Sequence, residues 1–172
     1  VFTISESRII LLKAQKMGFK IKIHADEFND TGGAGLAAEI GATSAEHLLC
    51  TSDANFEKMK KANVTAVLLP GVSLFLKKNF VNARKLLDIA VNIALATDFN
   101  PGSSMTSFLP LMTSLGCINM GLKPLESIAG ITIGAAMALG IENRAGALEV
   151  DKIADILFFD IPNYKFIPYN YG

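Results

Sequence analysis

Two histidines and a few carboxylates carry whatever proton or metal chemistry this 172-residue chain performs. His24 opens the run His24-Ala25-Asp26-Glu27-Phe28, and His47 sits near the end of Ser44-Ala45-Glu46-His47-Leu48. Asp98 stands in Thr97-Asp98-Phe99-Asn100-Pro101-Gly102-Ser103-Ser104. A neutral imidazole is a good ligand for zinc or iron, and a carboxylate three residues on, Glu27, can orient a bound water. Asp98, closing an apolar run, can bind a metal and accept a proton. Asn100, the Gly102 backbone and Ser103 offer hydrogen bonds to a substrate carboxylate or amide. Each run also has a plainer reading. His24 can be a strand-terminal histidine bonded to a carbonyl, His47 a structural histidine in an apolar setting, and Asn100 to Ser104 an Asx-Pro turn capping the next helix. Turn chemistry accounts for Asn-Pro-Gly-Ser. It does not account for a carboxylate at the close of an apolar strand.

The elements around these residues decide between the readings. Residues 5–17 read as an amphipathic helix with Thr3 and Glu6 at capping-box spacing, ended by Gly18. Strands are expected at 19–23, 42–48, 64–69 and 91–97, and helices at 34–40, 56–62, 82–90, 106–117 and 125–139. Strand, loop and helix thus recur four times, and the strands are apolar on both faces. That is the pattern of a parallel sheet covered by helices, either part of a (β/α) barrel or an open doubly wound sheet. A strand alternates its side chains, so His24 and Glu27 converge only if the strand ends near His24. His24, His47 and Asp98 each fall at or just beyond a strand's carboxyl end, and in a parallel sheet all such ends open on one rim. After Gly140 the rhythm changes: residues 147–150 and 154–159 read as short antiparallel strands of a second, small β domain.

Composition excludes several classes. Sixteen Lys+Arg balance 16 Asp+Glu, and 51% of residues are hydrophobic. Such a chain is globular, and without a basic block it is not built for nucleic acid. The apolar stretch 127–141 is interrupted by Thr132 and three glycines and falls short of the ~18 residues of a membrane span. Two distant cysteines, Cys50 and Cys117, outline neither a disulfide framework nor a zinc knuckle, so a reducing cytoplasm is the expected compartment. Gly33-Ala34-Gly35 mimics a dinucleotide fingerprint but follows an eight-residue polar loop, not a strand end. The chain begins at Val1 inside an ordinary folded segment and closes on the aromatic run Tyr164, Phe166, Tyr169 and Tyr171, which reads as an internal piece of a longer protein.

With these residues in view, the sequence resembles the amidohydrolase superfamily of metal-dependent hydrolases. Within it, the likeness is to the branch that opens the cyclic amide of 4-imidazolone-5-propanoate to N-formimidoyl-L-glutamate in histidine degradation. His24-Ala-Asp-Glu-Phe28, Gly32-Gly-Ala-Gly-Leu-Ala-Ala-Glu39, Ser44-Ala-Glu-His-Leu48, Leu69-Pro-Gly71 and Thr97-Asp-Phe-Asn-Pro-Gly-Ser103 carry the likeness. Gly146-Ala-Leu-Glu-Val150 and Ala154-Asp-Ile-Leu157 are similar to the segment returning to the superfamily's small β-sandwich. The resemblance implies His24 and Asp98 as ligands of one zinc or iron ion, and Asp98 also as the base for the attacking water. It implies Glu27 as a catalytic substrate contact, His47 as polariser of the scissile carbonyl, and Asn100, Gly102 and Ser103 as the pocket for the propionate and the opened product.

One departure shapes the whole reading. The superfamily begins its metal site with a His-x-His pair on the first barrel strand, and this chain has none. Catalytic zinc takes three protein ligands plus water, of which His24 and Asp98 are two. Four strands also cannot close an eight-stranded barrel. The expected fold is therefore the C-terminal half of a (β/α)8 TIM-type barrel over residues 1–145, followed by part of a β-sandwich over 146–172. The expected partners are a small-molecule substrate and the missing N-terminal half of the same protein, with a homodimer also open, and neither nucleic acid nor membrane. On its own this piece is expected to be inactive, to bind metal poorly and to expose sheet edges prone to aggregation. Rival readings are a deaminase or hydantoinase acting on another ring, and a metal-free half-barrel used for binding or assembly.

Overall fold

Thr3 and Glu6 start the first helix as their spacing requires. Thr3 Oγ1 accepts from the Glu6 N–H at 3.3 Å and Glu6 Oε2 accepts from the Thr3 N–H at 2.8 Å, giving α1 (Ile4–Lys16) a reciprocal cap. Its packing is light. No residue of α1 is fully buried, and Arg8 reaches Glu39 through two hydrogen bonds of 2.8 and 2.7 Å. The computed structural model describes residues 2–170, so Val1, Tyr171 and Gly172, and with them the last member of the expected aromatic run, lie outside the described residues.

From there the chain runs β1 (Lys22–Ala25), α2 (Gly33–Glu39), β2 (Ser44–His47), α3 (Asp53–Lys61) and β3 (Thr65–Leu68). It continues through α4 (Pro70–Phe75), α5 (Ala83–Asp88), β4 (Ile93–Leu95), α6 (Leu109–Asn119), α7 (Pro124–Ile131), α8 (Ile133–Leu139) and the short α9 (Phe166–Tyr169). The four strands pair in parallel and lie side by side in chain order, β1-β2-β3-β4. A doubly wound sheet reverses its order at a switch point. This one does not, and it fits a fragment of a TIM-type barrel.

The register sorts the side chains into two faces. Ile23, Ala45, Ala66 and Ile93 form one cross-strand row, against which Leu36, Met59, Leu86 and Met112 of the helices pack. One residue on in each strand, His24, Glu46, Val67 and Ala94 form the row of the opposite face, as period-two alternation demands. Val67 and Ala94 pack there against Ala138 of α8. That helix crosses the sheet at the limit of approach: a Cβ on Gly134 would stand 2.1 Å from the Ile93 carbonyl oxygen. Lys20 donates to the carbonyls of Leu139 and Gly140, and Lys22 to that of Ala138 at 2.7 Å, placing two cations at the negative end of α8.

Several expectations need correction. The helix expected over 125–139 is two helices, because Thr132 (φ −119°, ψ −95°) breaks the path and its hydroxyl bonds back to the Ile128 carbonyl at 2.9 Å. The first strand is Lys22–Ala25, not 19–23, since Phe19 follows directly on the helix-ending Gly18 turn. Residues 147–150 and 154–159 form no strands. No extended segment among the described residues pairs with them, so Leu148, Val150, Leu157 and Phe158 stay 80–94% exposed. Both cysteines are free. No helix among the described residues is long and apolar enough to cross a membrane.

Candidate metal centre

Each strand of interest leaves the sheet through a left-handed residue. Asp26 (φ +51°), His47 (φ +71°), Leu48 (φ +64°) and Asp98 (φ +48°) are four of the eight non-glycine residues with positive φ among the described residues. Such backbone costs on the order of 1–3 kcal/mol per residue and persists only where surroundings enforce it. Here it gathers at one rim.

At the exit of β1, the Asp26 carboxylate accepts from the N–H groups of Thr31, Gly33 and Ala34 at 3.0, 3.0 and 3.1 Å and from Thr51 Oγ1 at 3.0 Å. Asp26 is thereby consumed in anchoring the start of α2. The sharp turn it makes leaves Glu27 on the rim, with Oε2 3.7 Å from His47 Nε2. The convergence of His24 and Glu27 on one side, conditional on the strand ending there, is what the structure shows.

His47 illustrates why the exits matter. Glu46 faces the inner row, so alternation alone would turn His47 outward toward the helices. The left-handed turn at His47 and Leu48 reverses this. His47 Nε2 lies 3.0 Å from His24 Nδ1, with the rings 4.8 Å apart and tilted by 59°. The ring is buried, 4% exposed, and its Nδ1 has no hydrogen-bond partner. Burial pushes the His47 pKa below the ordinary histidine value; the charges of Glu27 and Asp98 oppose this, and His24 adds to it. The imidazole is therefore held neutral, the form that can ligate a metal or donate a hydrogen bond without first losing a proton.

Asp98 follows β4 on a loop closed from within. Asn100 Nδ2 donates to the Asp98 carbonyl at 2.6 Å and to its Oδ2 at 3.3 Å. Asn100 Oδ1 in turn accepts from the Gly102 and Ser103 N–H groups at 2.8 and 2.9 Å. Asn100, Gly102 and Ser103 thus satisfy one another and orient the aspartate. They stand beside it, as the sequence placed them, but with their donors engaged.

The result is a cluster of His24, His47 and Asp98 whose potential ligand atoms all lie within 4.8 Å of one another. Two nitrogens binding one zinc at about 2.0–2.1 Å in a tetrahedron stand roughly 3.3 Å apart, and the observed 3.0 Å between the two imidazoles is close to that. Two imidazoles and one carboxylate are also a donor set suited to zinc or iron. The residues present fit a metal ion.

A cleft of about 350 Å³ opens beneath the cluster, lined by His24, Glu46, Val67, Leu69, Ala94 and Asp98. Larger hollows of about 740 and 960 Å³ lie among the helices, one lined by α1, α2 and α3 and the other by α6, α7 and α9, and contain none of the cluster. Sequence reasoning missed Glu46. Burial drives its pKa above the ordinary glutamate value, against the Ser44 hydrogen bond and the nearby Lys22 and His24 charges. The signal was present: Lys22 with His24, and Ser44 with Glu46, are polar residues two apart and therefore on one face of their strands.

A model of the amidohydrolase family matches residues 2–170. The chain is similar to an imidazolonepropionase from Geobacillus sp. (strain WCH70), 49% identical over 172 residues, the match covering 100% of this chain and 41% of the relative. An imidazolonepropionase from Symbiobacterium thermophilum is 45% identical over 173 residues, with the same coverage of 100% and 41%. The chain thus spans about two-fifths of the length of the curated relatives it matches. Among solved structures, a zinc-bound adenosine deaminase from Xanthomonas campestris superposes with a TM-score of 0.78 at 21% identity, over 90% of this chain and 40% of that one, a likeness of fold.

Proposed function

Because this chain belongs to the amidohydrolase family, we propose that it is the C-terminal part of a cyclic-amide hydrolase that converts 4-imidazolone-5-propanoate to N-formimidoyl-L-glutamate. Residues 1–145 form half of its barrel and 146–172 begin its small β-sandwich. The N-terminal half of the same protein supplies the remaining strands and ligands. The observation that carries the reading is the meeting of His24, His47 and Asp98 on one rim, in a chain 49% identical to an imidazolonepropionase.

His24 and Asp98 would hold the ion, zinc or iron, and His47 and Glu27 lie beside those two side chains. When bound, the ion supplies Lewis acidity and makes water a stronger acid. The other steps belong to the chain. The Asp98 carboxylate accepts the proton of the attacking water as its oxygen adds to the ring carbonyl carbon. His47, kept neutral by burial, donates a ring N–H toward the carbonyl oxygen, where negative charge develops. Glu27, 3.7 Å from His47, touches the ring of the substrate. The carbonyl carbon–nitrogen bond then breaks, the proton held by Asp98 passes to the departing nitrogen, and the ring opens to a carboxylate and an amidine. Asn100, Gly102 and Ser103 receive the propionate by exchanging one of their internal hydrogen bonds for the substrate carboxylate.

The test is turnover by the intact protein. The reading expects N-formimidoyl-L-glutamate from 4-imidazolone-5-propanoate and little or no reaction with cytosine, guanine or hydantoin. Ammonia released from cytosine or guanine, or ring opening of hydantoin, with the imidazolone untouched would transfer the chain to one of the rival readings.

A further inference from the structure

On the same inner face, Lys22, Ser44 and Glu46 form a polar line that the proposed chemistry does not use. Lys22 Nζ donates to the Ala138 carbonyl of α8 at 2.7 Å and to Ser44 Oγ at 3.2 Å, and Ser44 Oγ donates to Glu46 Oε1. There the line stops. Glu46 is 8% exposed, and its Oε2 is buried without a partner. The next members of its row, Val67 and Ala94, are apolar, so a hydrophobic residue at 46 would continue the face without leaving a stranded oxygen. On the other side, Glu46 is the register partner of His24, and both line the inner cleft. His24 turns Nδ1 toward His47, which leaves Nε2 as the nitrogen to be oriented. A ligating histidine characteristically gives its second N–H to a carboxylate, carbonyl or water, which sets tautomer and ring orientation.

We propose that Glu46 is a positioning residue for the metal centre: its free carboxylate oxygen, directly or through one water, holds the His24 ring so that Nδ1 presents its lone pair to the ion. This rests on the reading of His24 and Asp98 as ligands. Ser44 and Lys22 hold the carboxylate in place, and through Ala138 they tie ring orientation to the seating of α8.

Cobalt(II) binding to the intact, metal-stripped protein tests this, read as affinity and as the visible bands that report ligand geometry. Glu46→Gln is expected to weaken cobalt binding roughly 10–100-fold and to shift the bands, with the circular dichroism of the fold retained. Glu46→Asp should recover part of the affinity, and Ser44→Ala, which leaves the carboxylate but loses its anchor, should fall between. Wild-type affinity and bands in Glu46→Gln overturn the proposal, as does Glu46→Asp no better than Glu46→Gln, since the role would then be packing. If Glu46→Gln does not fold, Ser44→Ala decides, and unchanged affinity and bands there overturn it. His24→Ala is the control: undiminished cobalt binding in that variant would overturn the ligand assignment itself, whereas its loss beside an unaffected Glu46→Gln removes only the role of Glu46.

Discussion

The carboxyl rim of the sheet and the segment after Gly146 are built from comparable material and end in opposite states. At the rim, charged and polar residues stand on apolar strands, and the fold draws His47 and Asp26 inside to 4% exposure each. After Gly146, apolar residues predominate over two short stretches, yet Leu148 and Phe158 remain 82% and 94% exposed. Hydrophobicity does not separate them; pairing does. Every strand at the rim has a parallel neighbour that fixes its register, whereas no strand among the described residues accepts 147–150 or 154–159. An apolar segment becomes an element only where a partner surface exists to cover it.

The comparison can be broken at the rim first. Turnover by the intact protein should fall about 10²–10⁴-fold in His47→Asn and in Glu27→Gln, with secondary structure unchanged, as expected for groups that act on protons and developing charge. Near-wild-type kcat in both would reduce the rim to scaffolding. A smaller effect contrasts the two regions directly. Urea unfolding of this chain should show Leu68→Ala, fully buried in β3, losing about 2–5 kcal/mol, while Leu157→Ala changes stability by no more than about 0.5 kcal/mol. In the intact protein, where we propose that 146–172 joins a β-sandwich, Leu157→Ala should become distinctly destabilising; a neutral result in both settings would remove the sandwich assignment.

Gly134→Ala sharpens the account of the inner face. Its Cβ would meet the Ile93 carbonyl oxygen at 2.1 Å, so α8 must move away, at a cost of about 1–3 kcal/mol in the same unfolding measurement. The smallest effect concerns acid. The Arg84 guanidinium, bonded to Glu126, holds that carboxyl below its usual value of 4.5, helped by the Lys123 N–H. A depressed carboxylate stabilises the fold above its unfolded pKa and loses that contribution as pH falls through the folded one. Stability should therefore decline below about pH 4.5 less steeply in Arg84→Met than in the native chain. The pair is part-exposed, so the difference is small.

Much of this was legible in the sequence, and the gaps have physical causes. Capping at Thr3, four strands in sequence and the strand-end placement of His24, His47 and Asp98 all follow from local chemistry. The inward turn of His47 does not. Histidine enters the left-handed region more readily than most residues but leucine does not, and two such residues in succession at His47 and Leu48 have no signal in the local sequence, so the reversal arises from tertiary packing. Asp26 and Glu27 look interchangeable as carboxylates, and only the approach of the Gly33 and Ala34 N–H groups shows that the first anchors α2. The break at Thr132 depends on α8 being pressed against Ile93, a constraint that helical periodicity does not carry.

Anomalous X-ray diffraction at the metal edge, from crystals of the intact protein, addresses the central assignment most directly. The account predicts one strong peak within about 2.0–2.2 Å of a His24 ring nitrogen and an Asp98 carboxylate oxygen, with His47 and Glu27 beside it. A peak elsewhere, or none in a metal-replete active protein, would contradict it.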